Sequence, residues 1–264
     1  MIVRKKLKKN KKERQKMKVA GELAASVLEM IEEHVVSGIS TYELDRICHE
    51  YITRDLKAIP APLNYHGFPK SICTSVNDTV CHGIPREDEI LKDGDIINID
   101  ITVIKDKFHG DTSKMFLVGD VSSRAKELCN VAHMAMWEGI GAIKPGLDIG
   151  VVGAAIEDYV HTNSTFHIAR NFSGHGIGTE FHEFPPILPY RNHYDVMMEP
   201  GMTFTVEPII NESTPQTIEK VDSPWVVYTM DGGLSAQYEH TIMVTKKGYE
   251  ILTLRGDEKN YANV

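Results

Sequence analysis

Cysteine is scarce in this 264-residue chain, and Cys48, Cys73, Cys81 and Cys129 form neither a CxxC pair nor a regular framework. That spacing argues against a disulfide scaffold or a thiolate-built structural zinc site, and predicts free thiols in a reducing compartment. No apolar run approaches the ~18 residues that a membrane span needs. Glu22 and Glu29 also interrupt the stretch after the basic N-terminus where a signal peptide would carry its apolar core. A soluble, cytoplasmic protein is expected, with enough chain for one large domain or two fused halves.

Acidic residues are almost missing from the first 18 positions, which hold ten Lys or Arg against the single Glu13. This local charge of +9 in a chain of net charge -8 leaves about -17 on the remainder. Such a head, residues 1–16, suits attachment to RNA or another anionic surface. The plainer reading is a solvated, frayed helix start.

The most strongly patterned stretch is Ile96 to Thr112, IINIDITVIKDKFHGDT. Ile97, Ile99 and Ile101 alternate with Asn98, Asp100 and Thr102, the period of a strand with one apolar face. The chain turns back at the polar cluster Lys105-Asp106-Lys107, predicting a hairpin in which Asp100 meets Asp111 across the ladder. Directly opposed Cβ atoms lie roughly 4.5–5.5 Å apart. Carboxylates that close repel and raise each other's pKa unless a cation sits between them, so the pair points to a bound metal. The ordinary alternative is that one Asp caps the turn and the other is solvated.

Helical spacing elsewhere is written twice. From Met17, the residues Ala20, Leu23, Val27, Ile31 and Val35 mark one helix, ending at Gly38. Ser40 with Glu43 forms a capping-box pattern opening a second, with Leu44, Ile47 and Tyr51 as its buried face, closed by the Pro-rich loop 59–62. Ser122 or Ser123 caps a third helix through Leu128, Val131 and Ala135 to Pro145-Gly146, and a fourth follows through Val152, Ile156 and Val160. Gly38-Ile39-Ser40 matches Gly146-Leu147-Asp148, and Tyr51-Ile52 matches Tyr159-Val160. The chain reads as two related halves, about 17–120 and 121–254, within a single domain 17–264.

The repeat extends to chemistry. Setting Gly94 on Gly201 puts Asp100 on Glu207, and Asp111-Thr112 has a loose counterpart in Glu239-His240-Thr241. His82 in CHGIP pairs with His175 in GHGIG. Four carboxylates and two histidines in corresponding order place one site between the halves, without deciding which histidine binds metal. Such a donor set suits Mn, Fe, Co or Zn. Four carboxylates exceed what one catalytic ion usually takes, so two divalent ions are expected. A pair roughly 3.5–4 Å apart holds a hydroxide nucleophile and polarises a carbonyl or phosphoryl oxygen, which predicts metal-assisted hydrolysis.

The order of NYHGFPKSICTSVNDTVCHGIP, DGDIINIDITVIKDKFHGDTSKMF, SGHGIG, FHEFP, EPGMTFTVEP and SAQYEHTI resembles the bacterial type I methionine aminopeptidases along essentially the whole chain from Met17. The resemblance implies an α+β, pseudo-twofold "pita-bread" fold, with antiparallel strands flanked by two helix pairs around a dinuclear centre. It implies removal of the initiator methionine from nascent proteins when the next residue is small, by a metal-bound hydroxide. Carried onto matching positions, Asp100, Asp111, His175, Glu207 and Glu239 are the metal ligands. His82 and His182 face substrate and Glu207 is the general base. His182 donates to the developing oxyanion, and His82 serves the scissile nitrogen.

A methionine pocket should be aromatic and sulfur-containing, and Tyr65, Phe68, Cys73, Phe181 and Trp225 fit by motif position. Two residues depart from the family pattern. Pro62 stands where close relatives carry cysteine, and Phe68 replaces a frequent tyrosine, keeping the ring and losing the hydroxyl. The basic head is unusual for the family and points to ribosome contact. A monomer without membrane or organic cofactor is expected.

Overall fold

A computed structural model describes residues 7–219 and 223–261, so the first six residues of the basic head lie outside the described residues. Helix α1 spans Lys11–Ile31 and begins earlier than apolar spacing suggests. Asn10 is the reason. Its side chain accepts from the N–H groups of Lys12 and Glu13 while Glu13 accepts from the Asn10 N–H, a complete capping box. Helix α2, Thr41–Glu50, is capped by Ser40, which accepts from the Glu43 N–H. The Glu43 carboxylate turns to Arg46 instead, so only half of that expected box forms. Leu44 is buried as the pattern requires, whereas Cys48 and Ile52 are buried more fully than Ile47 and Tyr51.

Helix α3, Ser123–Gly141, takes Ser122 as its cap, and α4 spans Gly150–Asn163 after Asp148 has accepted from the Gly150 N–H. All four cysteines are buried free thiols. Among the described residues no helix is long and apolar enough to cross a membrane.

The hairpin forms from strands Ile96–Lys105 and Phe108–Leu117, with a register two residues away from the one expected. Asp106 and Lys107 both take positive φ, 49° and 73°, making a two-residue loop of the primed kind whose twist matches the strands. Lys105 therefore pairs with Phe108, Thr102 with Asp111, and Asp100 with Ser113. Asp100 and Asp111 are diagonal neighbours on one face and not direct partners.

Across the sheet the order is Ile59–Pro60, Ile96–Lys105, Phe108–Leu117, Glu239–Val244, Thr203–Val206, Gly174–Gly176 and Glu183–Ile187, each adjacent pair antiparallel. Cys73–Val76 also pairs with the first hairpin strand, and Tyr249–Ile251 with Glu239–Val244. Ile97, Ile99, Ile101 and Val103 form the apolar face of their strand and pack with Leu28, Ile31, Leu44 and Cys48 of α1 and α2. A second core joins Leu128, Ala132, Val152 and Ile156 of α3 and α4 to Phe204, Val206 and Ile242. Each helix pair thus covers its own part of one antiparallel sheet, an α+β architecture. Alternation along the strands then leaves Asn98, Asp100 and Thr102 pointing away from the α1–α2 core.

Candidate metal centre

Strand register assembles the site. Asp100 pairs with Ser113, and Ser113 pairs with Glu239 on the next strand. His240 pairs with Val206, which carries Glu207 to the position beside Glu239. Asp100, Ser113, Glu239 and Glu207 form one row across four strands. Asp111 stands two residues before Ser113 on the same face. The serine is the one short side chain of that row and leaves room between the carboxylates.

His175 enters from the neighbouring strand, with its N–H donating to Thr205 Oγ1 at 2.9 Å. Its Nδ1 lies 3.0 Å from the Gly176 carbonyl oxygen, which can only accept, so Nδ1 carries the proton. The Nε2 lone pair then faces Asp111 Oδ2 at 3.6 Å and Glu207 Oε1 at 3.5 Å. Ligand atoms of Asp111, His175 and Glu239 lie within 4.8 Å of one another.

The carboxylates are held by short polar residues. Thr102 Oγ1 donates to Asp111 Oδ1 at 2.7 Å, Thr205 Oγ1 to Glu207 Oε1 at 2.6 Å, and Gln237 Nε2 to Glu207 Oε2 at 3.2 Å. Asp100 Oδ1 is buried with no hydrogen-bond partner among the described residues. Burial pushes Asp100 up to about 7 and Glu207 to about 8. Asp111 and Glu239 are driven well above the carboxylate range, by burial first and then by Asp100 and Asp111 respectively. Desolvation holds His175 down at about 3. Crowded acids, an orphaned carboxylate oxygen and a neutral imidazole turned toward them form a donor set that fits a divalent cation.

The twelve residues singled out from sequence all line one cavity of about 430 Å³. Phe68 is buried and meets Trp225 edge to face at 5.5 Å, while Cys73 and Cys81 supply sulfur. Both thiols are raised well above their ordinary range by burial, so they are neutral, soft walls. Pro62 is also on the wall. Phe181 stacks on His182 with centroids 4.4 Å apart, and Tyr65 Oη lies 2.8 Å from His182 Nδ1. His82 adopts a left-handed backbone, φ 54°, a strained conformation for a non-glycine residue that turns its ring toward the cavity beside Trp225 and Phe172.

Sequence reasoning missed Thr102, Thr205, Gln237, Cys81 and Phe172. The first three were within reach, because each stands two residues from a carboxylate along an extended stretch and so shares its face. Cys81 and Phe172 carried no periodic signal.

Comparison with known proteins agrees with this geometry. The model of metallopeptidase family M24 matches residues 15–246. The chain is 51% identical over 245 residues to the methionine aminopeptidase of Escherichia coli strain K12, covering 92% of both chains. It is 49% identical over 251 residues to that of Buchnera aphidicola subsp. Acyrthosiphon pisum, covering 95% of this chain and 94% of the other. A crystal structure of methionine aminopeptidase from Rickettsia prowazekii superposes with a TM-score of 0.90 at 49% identity, covering 94% of this chain and 99% of that one. The prolidase from Pyrococcus horikoshii OT3, at 19% identity and a TM-score of 0.70, shares the pita-bread architecture alone, with 94% of this chain covering 64% of that one. With the family model matched over most of its length and half of its residues shared with such relatives, the chain belongs to metallopeptidase family M24.

Proposed function

We propose that this chain is a metal-dependent aminopeptidase that removes N-terminal methionine from nascent polypeptides whose second residue is small. The observation that carries the reading is the cavity in which four carboxylates, Asp111 and Glu239 buried and Asp100 and Glu207 half-buried, and His175 meet an aromatic and sulfur-lined pocket. Asp100, Asp111, His175, Glu207 and Glu239 would hold two divalent ions drawn from Mn, Fe, Co or Zn. When bound, these supply a water of lowered pKa and polarise the scissile carbonyl.

The chain's own residues do the rest. Phe68, Trp225, Cys73, Tyr65 and Phe181 enclose the methionine side chain, whose thioether favours aromatic edges and sulfur. His182 is pushed below its ordinary range by desolvation, so it is neutral at pH 7. This role requires the tautomer in which the Tyr65 hydroxyl, 2.8 Å away, donates to Nδ1 and the ring proton on Nε2 is donated to the developing oxyanion. Glu207 takes the proton of the attacking water and returns it to the leaving amine, and His82 orients that amine nitrogen. His82 too is lowered by burial and acts as a neutral ring.

The test is release of methionine from a Met-Ala-Ser peptide by chelator-stripped protein, with each metal added back, an Asp111→Ala control and a prolyl peptide as competitor. Release is expected to need both metal and Asp111, with the prolyl peptide left intact. Folded protein that releases no methionine with any of the metals would overturn the reading.

The basic head is proposed to meet ribosomal RNA. Lys11, Lys12 and Lys16 are exposed at the start of α1, whereas Lys8 is paired with Glu199 at the surface and Lys9 turns inward to Glu183. Replacing Lys11, Lys12 and Lys16 by Gln is expected to weaken ribosome binding and flatten its salt dependence. Unchanged binding would sink this proposal. A cytoplasmic monomer is proposed, and sedimentation of the purified chain tests the oligomeric part.

A further inference from the structure

The loop that carries Phe181 and His182 is tied at its base to the N-terminal arm. Glu183, which follows His182, bridges two partners. Its Oε1 accepts from the Glu180 N–H at 3.3 Å, closing the loop on itself, and its Oε2 accepts from Lys9 Nζ at 2.7 Å. Both side chains of that ion pair are largely buried, at 7% and 12% exposure, unlike the exposed Lys8–Glu199 pair next to it. A buried pair of this kind holds its geometry, and removing one partner strands the other charge.

The arm that delivers Lys9 is itself fixed. The Lys9 N–H donates to the Gly201 carbonyl at 2.8 Å, and Lys8 bridges to Met202, at the head of the strand that leads to Glu207. Space for the pair is also built in. A Cβ at Gly178 would lie 2.5 Å from Lys9 Cε and 2.6 Å from both Lys9 Nζ and Glu183 Oε1. The loop therefore crosses directly over the ion pair. Its far side rests on His109, whose N–H donates to the Gly178 carbonyl at 2.9 Å and whose ring stacks on Phe181 with centroids 5.6 Å apart.

We propose that Lys9 is a positioning residue: through Glu183 it fixes the 178–183 loop and so sets where Phe181 and His182 stand over the cavity. It touches neither substrate nor the carboxylate cluster. The proposal rests on the aminopeptidase reading, in which His182 donates to the developing oxyanion. Displacing a group of that kind by about 1 Å is enough to cost on the order of 100-fold in rate.

The test compares the metal-loaded full chain with Lys9→Met, Lys9→Arg and Lys8→Met, reading kcat and KM on Met-Ala-Ser, and amide hydrogen exchange of residues 177–183 in metal-free protein. Lys9→Met is expected to lower kcat by about tenfold or more, with KM changed less, and to speed exchange in that loop. Lys9→Arg should restore most of the rate, and Lys8→Met should match the wild type. Wild-type kcat with unchanged exchange in Lys9→Met overturns the proposal, as does a loss of rate accompanied by faster exchange throughout the sheet. If Lys9→Met does not fold, Glu183→Gln must show the same fall in kcat, and full activity there overturns the proposal equally. An inactive wild type would instead strike the aminopeptidase reading, so the two failures are distinct.

Discussion

The raised carboxylates carry a consequence for stability without metal. Asp100 at about 7 and Glu207 at about 8 bind protons in the folded chain at pH values where the unfolded chain has released them. Folded-state proton excess makes stability fall as pH rises, by about 1.4 kcal/mol per pH unit for each proton retained. His175, held at about 3, acts in the opposite sense below the ordinary histidine range, because there the unfolded chain binds the extra proton. From pH 7 to 8 the histidine contribution has ended and the carboxylate one persists. Chelator-stripped protein is therefore expected to lose thermal stability over that interval, and saturating Mn to recover more at pH 8 than at pH 7. A midpoint independent of pH, or rising with it, would mean the acids are not held protonated.

At the scale of elements, the turn between the hairpin strands sets the site. Asp106 and Lys107 each pay for positive φ in a loop that favours glycine at such positions. Lys107 is exposed, so Lys107→Gly is expected to stabilise the fold by up to about 1 kcal/mol, read as a higher urea midpoint at constant slope. Behind the hairpin, a Cβ at Gly110 would run into the Ala20 carbonyl of α1, so Gly110→Ala is expected to destabilise by about 1–3 kcal/mol in the same measurement. These positions also show what the sequence made legible. Period-two alternation declared the Ile96 strand, its apolar face and the carboxylates on the other. It did not declare the register, because Lys105-Asp106-Lys107 contains no glycine or asparagine to announce two left-handed residues, and a shift of two keeps every side chain on its face. The start of α1 was hidden for a different reason: the turn opened by Asn10 and Glu13 carries charge where a periodicity search looks for apolar residues.

For the whole molecule, the order of the carboxylates in the sequence points to a site between two halves, and the sheet sets Asp100, Glu239 and Glu207 in one row with Asp111 diagonal to it. Its seam is Phe108–Leu117 against Glu239–Val244. Thr112 Oγ1 donates to the Glu239 carbonyl and Thr241 Oγ1 to the Asp111 carbonyl, each at 2.7 Å, so the backbone behind each carboxylate is held by the opposite strand. Buried Arg255 reinforces the seam from the far face by donating to Thr112 Oγ1 at 2.7 Å. Asn98 Nδ2 adds a bond to the Gln237 carbonyl at 2.8 Å. The two-half organisation is proposed on this symmetry, and it has a thermodynamic consequence. A ligand bound at a seam stabilises both sides, by about 2.7 kcal/mol at a metal concentration 100 times Kd. Hydrogen exchange of Ile97–Val103 in the first half and Phe204–Val206 in the second should therefore slow together on adding Mn to stripped protein, within one cooperative unfolding transition. Asp111→Ala should remove the protection from both stretches, although only one of them contains a neighbour of the altered residue. Protection that survives in one half alone would show that the metal belongs to that half and that the seam does not couple the two.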